Sequence, residues 1–88
     1  MTVGFLGAIR NITGLREQKV TAPTVQGLLE AMMDKYGDSW KEQVFDGQEL
    51  KADVVVLVNG LNIQQREGLA TSLAAVDRID ILPMFEGG

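Results

Sequence analysis

The spacing of apolar residues along this chain changes between the period of a strand and the period of a helix. Residues 3–12 (VGFLGAIRNI) are apolar, rich in β-formers and interrupted by two glycines, and they predict a strand in which glycine marks a close backbone approach or a bend. Residues 16–22 (REQKVTA) are shorter and more polar, as is typical of an edge strand. A turn is predicted between them at Thr13-Gly14-Leu15, so we expect an N-terminal hairpin.

A helix is predicted to begin after Pro23 and to end at Gly37. Thr24 is a good N-cap, and Lys35 lies in the last turn, where a positive charge complements the helix dipole. Apolar residues recur at spacings of three and four, which places them on one face of the helix: Val25, Leu28, Leu29, Met32, Met33 and Tyr36. We expect this face, with its two methionines, to fill the core rather than to bind a metal.

The middle of the chain is predicted to be irregular. Residues 38–53 are polar around a short Gln43-Val44-Phe45 segment, and Trp40 is expected to pack beneath this loop as a satellite of the core. Residues 68–73 are expected to form a loop or a single helical turn before the last strand.

A second hairpin is predicted between these two regions. Val54–Val58 is entirely apolar, which favours a buried strand, and Asn59-Gly60 after it is the dipeptide that most favours a tight hairpin turn. Leu61 and Ile63 are expected to begin a short return strand.

Polar and apolar residues alternate from 77 to 82, which predicts a last strand that is buried on one face. Ile79 and Ile81 are expected to face the helix. Pro83 has no N–H to give to a neighbouring strand and is expected to end regular pairing. Residues 84–88 (MFEGG) are then expected to form a flexible tail.

The predicted order is strand, strand, helix, strand, short strand and strand. One amphipathic helix that crosses a mixed sheet of about four to five strands gives a two-layer α+β domain. The strands apolar enough for the centre of the sheet are the first, the Val54–Val58 strand and the last, and the helical crossover predicts a parallel pair. We expect one domain at residues 1–83 and a tail at 84–88.

Composition excludes several classes of function. The 88 residues include no cysteine and no histidine, which removes thiol nucleophiles, the commonest general base and the commonest metal ligands. Independent catalysis and a metal site are therefore not expected. The net charge of −4 argues against a nucleic-acid-binding protein. The apolar runs are too short for a membrane span and no secretory leader is evident, so we expect a cytoplasmic protein that binds neither nucleic acid nor membrane.

The element order and several short motifs resemble the MoaD/ThiS family of ubiquitin-like sulfur carriers, and within it most of all the small subunit of molybdopterin synthase. The resemblance covers nearly the whole chain and implies the β-grasp fold. A terminal Gly-Gly alone is a weak indication of this family. Here the Gly-Gly follows a strand that ends in Leu-Pro, in a chain of this size and element order, and this combination is more specific. The motifs that carry it are Leu6-Gly7-Ala8-Ile9-Arg10 with Gly14, Thr24-Val25 with Leu28-Leu29, Val58-Asn59-Gly60, and residues 77–88.

The resemblance implies that Gly88 is the reacting residue of a carrier and that the chain is not itself an enzyme. An adenylating partner would use ATP to activate the terminal carboxylate, and a sulfur donor would then convert it to a thiocarboxylate. No cofactor is expected to be bound by the carrier. The acceptor would be the large subunit of molybdopterin synthase or an equivalent enzyme. A carrier for thiamine synthesis, tRNA thiolation or another sulfur metabolite remains an alternative, as does a ubiquitin-like modifier joined to lysines.

Partner contacts are expected along the tail and beside it. Gly87 has no Cβ and suits a narrow channel, and Pro83, Met84, Phe85 and Glu86 lead up to it. Strand alternation places Leu82 on the outer face of the sheet, and Leu6 beside it if Phe5 faces inward. Either Leu61 or Ile63 is expected to join this apolar patch.

Three charged residues have two interpretations each. Arg10 is expected to pair with Glu17 across the predicted hairpin, or alternatively with an acidic residue of a partner. Asp77 and Asp80 are three residues apart on a strand and so lie on opposite faces, which favours turn and surface roles over a catalytic pair.

Overall fold

Three strands with alternating burial form the centre of the sheet. They are β1 (Thr2–Phe5), β5 (Val54–Val58) and β7 (Arg78–Pro83) in the computed structural model, which describes residues 1–84. Every second side chain of these strands points into the core, and these are Val3, Phe5, Val54, Val56, Val58, Ile79 and Ile81. The prediction that Ile79 and Ile81 face the helix layer is therefore confirmed.

The sheet has five strands in the order β2-β1-β7-β5-β6, where β2 is Glu17–Lys19 and β6 is Leu61–Asn62. β1 and β7 are parallel, and the other neighbours are antiparallel. The predicted mixed sheet, its three central strands and its parallel pair are all confirmed. The order places the first and last strands of the chain side by side.

The predicted main helix is confirmed as α2 (Val25–Tyr36). The hydroxyl of Thr24 accepts a hydrogen bond from the N–H of Gly27 at 3.1 Å, which caps the first turn. Val25, Leu28, Leu29 and Met32 are buried, so the apolar face is the core face.

The prediction of a single strand over residues 3–12 is wrong beyond Phe5. Gly7 has φ +54°, which few other residues adopt, and the chain turns there into α1 (Gly7–Thr13). Ile9 is fully buried on this helix, so an apolar residue with strand propensity is held in a helix by its place in the core. β1 and β2 still pair with each other, antiparallel, at one edge of the sheet, and the chain segment that connects them contains α1.

The prediction of an irregular segment over residues 38–53 is also wrong. It forms α3 (Asp38–Val44), β3 (Phe45–Asp46) and β4 (Glu49–Leu50), and the two strands pair as a small separate hairpin. Trp40 is fully buried in the main core, and its indole N–H donates to the carbonyl of Leu29 at 3.0 Å.

Pairing continues one residue further than expected at the end of β7. Pro83 lies opposite Val54 within the strand, and the N–H of Met84 donates to the carbonyl of Asp53. Proline is tolerated at this position because the next residue supplies the donor.

The Asn59-Gly60 turn is confirmed, with positive φ at both residues. The helical turn expected within residues 68–73 is observed at Gly68–Ala70. None of the helices within residues 1–84 is long and apolar enough to cross a bilayer.

Candidate functional site

The face of the sheet that points away from the core carries a groove at one end. Because β1 and β7 are parallel, their C-terminal ends meet at the same edge, and the N–H of Leu6 donates to the carbonyl of Ile81 at 3.1 Å. The groove has a volume of about 670 Å³ and is open to solvent. We call it the outer groove, and it is lined by Gly4, Phe5, Leu6, Arg10, Arg16, Glu17, Leu57, Arg78, Asp80 and Leu82.

Leu6 and Leu82 both line the outer groove, as the alternation of the strands predicted. Leu6 is 38% exposed, whereas Phe5 before it is fully buried. Leu57 on β5 adds a third leucine, which the sequence reasoning did not include. The placement of this pair is confirmed, and its contact with a partner stays a prediction.

The other two residues assigned to the patch do not lie there. Ile63 is fully buried in the core, so the prediction that it is accessible is wrong. Leu61 is 45% exposed but lies opposite Val58, whose side chain points into the core. Directly opposed residues share a face, so Leu61 belongs to the helix side of the sheet edge and not to the outer groove.

The tail residues are only partly described. Pro83 is the last residue of β7, and Met84 after it is 52% exposed. The expected contacts of Phe85, Glu86, Gly87 and Gly88 lie outside the described residues. The chain therefore leaves the sheet from a central strand that is paired on both sides.

An ion-pair bridge crosses the outer face beside the groove. The Arg78 guanidinium contacts the carboxylate of Glu17 at 2.5 Å and that of Asp80 at 3.0 Å, and so spans from β7 to β2 over β1. Gly4 lies beneath the bridge: a Cβ at this position would overlap Asp80 Oδ1 and stand 2.7 Å from an Arg78 nitrogen. The glycine in β1 is thus explained by the close passage of a side chain rather than by a bend.

The bridge also shifts the pKa of Glu17 and that of Arg78. The hydrogen bond from Arg78 lowers the pKa of Glu17 below its ordinary value, and the nearby positive charge acts in the same direction. The pKa of Arg78 is raised in turn, first by the hydrogen bond to Glu17 and then by that to Asp80. Glu17 and Asp80 thus already have a cationic partner within the chain.

Arg10 does not pair with Glu17, and the first interpretation of this residue is wrong. Because α1 replaces the predicted strand, Arg10 lies on a helix, and its Nε donates to the carbonyl of Phe5 at 3.0 Å. Glu17 pairs with Arg78 instead. Arg10 nevertheless lines the outer groove.

Asp77 stabilises the turn before β7, in line with the turn role expected for it. Its carboxylate accepts hydrogen bonds from the N–H of Ala74 at 2.7 Å and from the amide of Asn59 at 3.0 Å. The first of these is the main cause of a pKa below the ordinary value of 3.8. Asp80 is on the outer face with Arg78, and it is not placed to act with Asp77.

Sequence reasoning missed the Arg78 bridge and Leu57. Arg78 and Asp80 are two residues apart on a predicted strand, so their side chains lie on the same face of the sheet. This spacing was the sign in the sequence that the two side chains could pair. The third member, Glu17, could not be assigned before the strand order was known. Across residues 1–84, no group of three His, Cys, Asp or Glu side chains could hold a metal ion.

Comparison with known proteins agrees with this geometry. Residues 3–88 match the model of the ThiS family. Small archaeal modifier protein 1 from Methanosarcina acetivorans is 31% identical, with a TM-score of 0.85 over 99% of this chain and 94% of that one. A chain in the BexX/CysO complex of Amycolatopsis orientalis has a TM-score of 0.87 at 23% identity, over 99% of this chain and 98% of that one. Urm1 from Trypanosoma brucei has a TM-score of 0.80 at 22% identity, over 99% and 93%.

A comparison with curated protein sequences gave no match. The mixed sheet and helix layer define a β-grasp, ubiquitin-like protein, as the similar folds show. The chain belongs to the ThiS family, since the family match extends over nearly its whole length. The resemblance to the MoaD/ThiS family of ubiquitin-like sulfur carriers is therefore confirmed.

Proposed function

We propose that this protein is a sulfur carrier whose Gly88 carboxylate is adenylated by a partner enzyme and then converted to a thiocarboxylate. The observation that carries the proposal is the way the chain leaves the sheet. β7 is paired with β1 as far as Ile81 and with β5 as far as Pro83, so the residues after it start from a fixed point beside the outer groove. The family match includes these last residues through position 88.

The chemistry needs no acid, base or metal from the carrier. A carboxylate resists nucleophiles, so its oxygen first attacks the α-phosphate of ATP, which releases pyrophosphate and forms an acyl adenylate. Hydrosulfide (HS⁻) released by a sulfur donor then attacks the acyl carbon, AMP leaves with the electron pair of the broken C–O bond, and loss of the S–H proton gives the thiocarboxylate. The absence of cysteine and histidine from the chain is compatible with such a role, because the partner supplies the catalytic groups.

Reach supports the same proposal. Residues 83–88 span at most about 20 Å when extended, at roughly 3.3–3.6 Å per residue. This length suffices to cross the surface of a partner and enter a buried site. Gly87 and Gly88 would pass a narrow channel that a Cβ would block. Docking of the folded body would use the outer groove, with Leu6 and Leu82 as its apolar contacts.

The acceptor we propose is the large subunit of a molybdopterin synthase. The segment between α2 and β5 supports this assignment, because it is long and carries its own helix and hairpin. The test is genetic: deletion of the gene should abolish molybdenum-enzyme activity, and the intact gene should restore it. Loss of thiamine synthesis or of tRNA thiolation instead would assign the carrier to one of those routes.

Intact-mass spectrometry tests the carrier function itself. The protein is expressed with an adenylating enzyme of its own genome and a sulfur donor, and we expect a species in which one oxygen of Gly88 is replaced by sulfur. Fragmentation should place the change on residue 88. If every molecule remained the free acid under these conditions, the carrier proposal would be wrong.

A second function has a specific observation in its favour. The relative that is 31% identical is named a small archaeal modifier protein. The same acyl adenylate could pass Gly88 to the amine of a lysine and form an isopeptide bond with release of AMP. Digestion of cellular proteins with a protease that cuts after glutamate should then leave Gly-Gly remnants on target lysines, because Glu86 precedes Gly87, and these remnants should disappear when the gene is deleted.

A further inference from the structure

The side chain of Asn59 joins the turn after β5 to the start of β7. Its Nδ2 donates a hydrogen bond to Oδ1 of Asp77 at 3.0 Å, and its Oδ1 accepts one from the N–H of Arg78 at 2.9 Å. The backbone N–H of Asn59 also donates to the carbonyl of Arg78 at 2.8 Å. One exposed residue thus holds the first residues of β7 in place.

The residue after Asn59 is Gly60, and this dipeptide is chemically labile. The backbone nitrogen of Gly60 can attack Cγ of Asn59, which forms a C–N bond and expels the side-chain nitrogen as ammonia. Water then opens the five-membered succinimide at one of its carbonyl groups and leaves an aspartate or an isoaspartate. Glycine favours the attack because it has no Cβ to hinder the approach. The other asparagines, Asn11 and Asn62, are each followed by isoleucine, whose branched side chain hinders it.

The fold restrains this reaction at Asn59. Attack requires Cγ of Asn59 to turn towards the N–H of Gly60, whereas the two side-chain hydrogen bonds hold it towards β7. We propose that Asn59 is a site of spontaneous deamidation that Asp77 protects, so that the reaction is slow while these two side chains are hydrogen-bonded and fast once they separate. The other reactant is water, to which Asn59 is exposed. The proposal does not depend on whether Gly88 carries sulfur.

The carboxylate of Asp77 is well fixed for this protective role. Its second oxygen accepts a hydrogen bond from the N–H of Ala74 at 2.7 Å. That bond, followed by the one from Asn59, is the main cause of a pKa below the ordinary value of 3.8. The carboxylate is therefore charged at neutral pH, which makes the hydrogen bond from Asn59 a charge-assisted one.

Deamidation would prevent the contact with Asp77 from forming again. The aspartate product has a carboxylate oxygen where the Nδ2 donor of Asn59 was, so two negative charges would meet at this point. The positive charges of Arg66 and of the Met1 amine lower the pKa of Asp77 less than its hydrogen bonds do, so they do not replace the lost donor. Modified chains would therefore hold the start of β7 less firmly and unfold more readily.

The first test measures the rate of deamidation at each asparagine. The folded chain is kept at mildly alkaline pH for several weeks, digested at acidic pH, where the reaction is slow, and analysed by mass spectrometry with fragmentation. In the wild type we expect slow conversion at Asn59. Asp77→Ala should raise this rate by about tenfold or more, because the rate follows the population of the opened turn and a hydrogen bond to a charged group is lost. An unchanged rate in Asp77→Ala would refute the proposal.

Two further variants serve as controls. Tyr36→Phe removes a hydrogen bond between α2 and β2, and the rate at Asn59 should stay at the wild-type value. An equal rise in this variant would assign the reaction to general unfolding and overturn the proposal. Asp46→Asn creates a second asparagine–glycine pair, at an exposed position of the β3–β4 hairpin. Position 46 should react about tenfold faster than Asn59 in the same molecule, whereas equal rates would show that Asn59 is not protected.

The second test concerns the consequence for stability. Asn59→Asp reproduces the aspartate product and should lower the thermal midpoint by about 5–10 °C, through the lost hydrogen bond and the repulsion of the two carboxylates. Adding Asp77→Asn exchanges the two groups, which restores a donor opposite an acceptor and should recover most of the loss. If Asn59→Asp were as stable as the wild type, or the exchanged pair no more stable than Asn59→Asp, the proposal would be disproved. This comparison decides the matter even if Asp77→Ala does not fold.

Discussion

Replacement of Trp40 should reveal how firmly α3 is fixed to the sheet. The indole is fully buried, and its ring lies edge-on to Phe5 with centroids 6.1 Å apart. Its N–H donates to the carbonyl of Leu29 on α2. Trp40 thus joins α3 to both α2 and β1. Within residues 1–84, no other side chain of α3 donates a hydrogen bond to α2 or to the sheet.

The expected loss of stability follows from these contacts. In Trp40→Phe the hydrogen bond is lost, which costs about 1 kcal/mol. The smaller ring removes a volume comparable to one or two methylenes and leaves a void, for about 1–2 kcal/mol more. We therefore expect the free energy of unfolding to fall by about 2–3 kcal/mol, and by about 3–5 kcal/mol in Trp40→Ala. Either value is a large share of the roughly 5–15 kcal/mol that stabilises a typical domain.

The change in the free energy of unfolding is measured by urea unfolding monitored with far-ultraviolet circular dichroism. Tryptophan fluorescence cannot be used, because the variants lack the only tryptophan. Tyr36→Phe is the control: it removes a hydroxyl that donates to Gln18 at a half-buried site and should cost about 1 kcal/mol. If Trp40→Phe were no more destabilising than this control, α3 would not be part of the structural core and our account of the segment would be refuted.

Three further predictions concern the tail, the turn before β7 and the bridge. Deletion of residues 87–88 should abolish sulfur loading in the intact-mass assay and leave the thermal midpoint nearly unchanged, since the sheet already ends at β7. The pKa of Asp77 is lowered in the folded state, so its contribution to stability is present above its ordinary pKa of 3.8 and is lost as the pH falls through the folded pKa. Asp77→Asn should therefore make the free energy of unfolding fall less steeply with decreasing pH in this range. Gly4→Ala should push Arg78 away from its partners, and carboxyl NMR should show the pKa of Glu17 rising towards its ordinary value of 4.5.

Each of these predictions has an outcome that contradicts it. A marked fall in the thermal midpoint on deletion would mean that the last glycines stabilise the fold. The control Asp46→Asn alters an exposed carboxylate outside the turn, and an equal flattening of its acid curve would exclude a specific role for Asp77. An unchanged pKa of Glu17 in Gly4→Ala would show that the bridge tolerates a Cβ beneath it.

Long periodic segments made much of the fold predictable. The apolar stripe of α2 extends over three turns and has a capping residue before it, so the helix could be placed from spacing alone. The alternation of residues 77–82 fixed which side chains of β7 point inward, and thereby predicted that Leu82 lies outside. The Asn59-Gly60 pair specified the hairpin, because both positions need positive φ.

Short elements were missed because a helix of seven residues is too brief to show its period. In α1, Ile9 and Ile12 lie three residues apart, but their β-branched side chains and the preceding apolar run favour a strand. In α3, the pair that packs inward is Trp40 and Val44, four residues apart within a polar segment. Propensity and periodicity are local, whereas these helices are stabilised by the core they complete.

The charges of the candidate site were the least predictable feature. Arg10 was assigned to Glu17 on the assumption of a hairpin, and the inserted helix removed it from reach. Glu17 instead meets Arg78, from the far end of the chain, because β7 lies next to β1. Such a pairing depends on strand order, which a single sequence does not specify residue by residue.

The parallel pairing of β1 with β7 has a consequence for when the protein becomes competent during its synthesis. The strand that completes the centre of the sheet is the last to leave the ribosome, so the earlier strands must wait for it with their edges unpaired. Contacts between such distant parts of a chain close slowly, because the loop entropy must be overcome before they stabilise anything. A partner that binds the outer groove, as we propose, would therefore meet only chains in which β7 has already paired with β1 and β5.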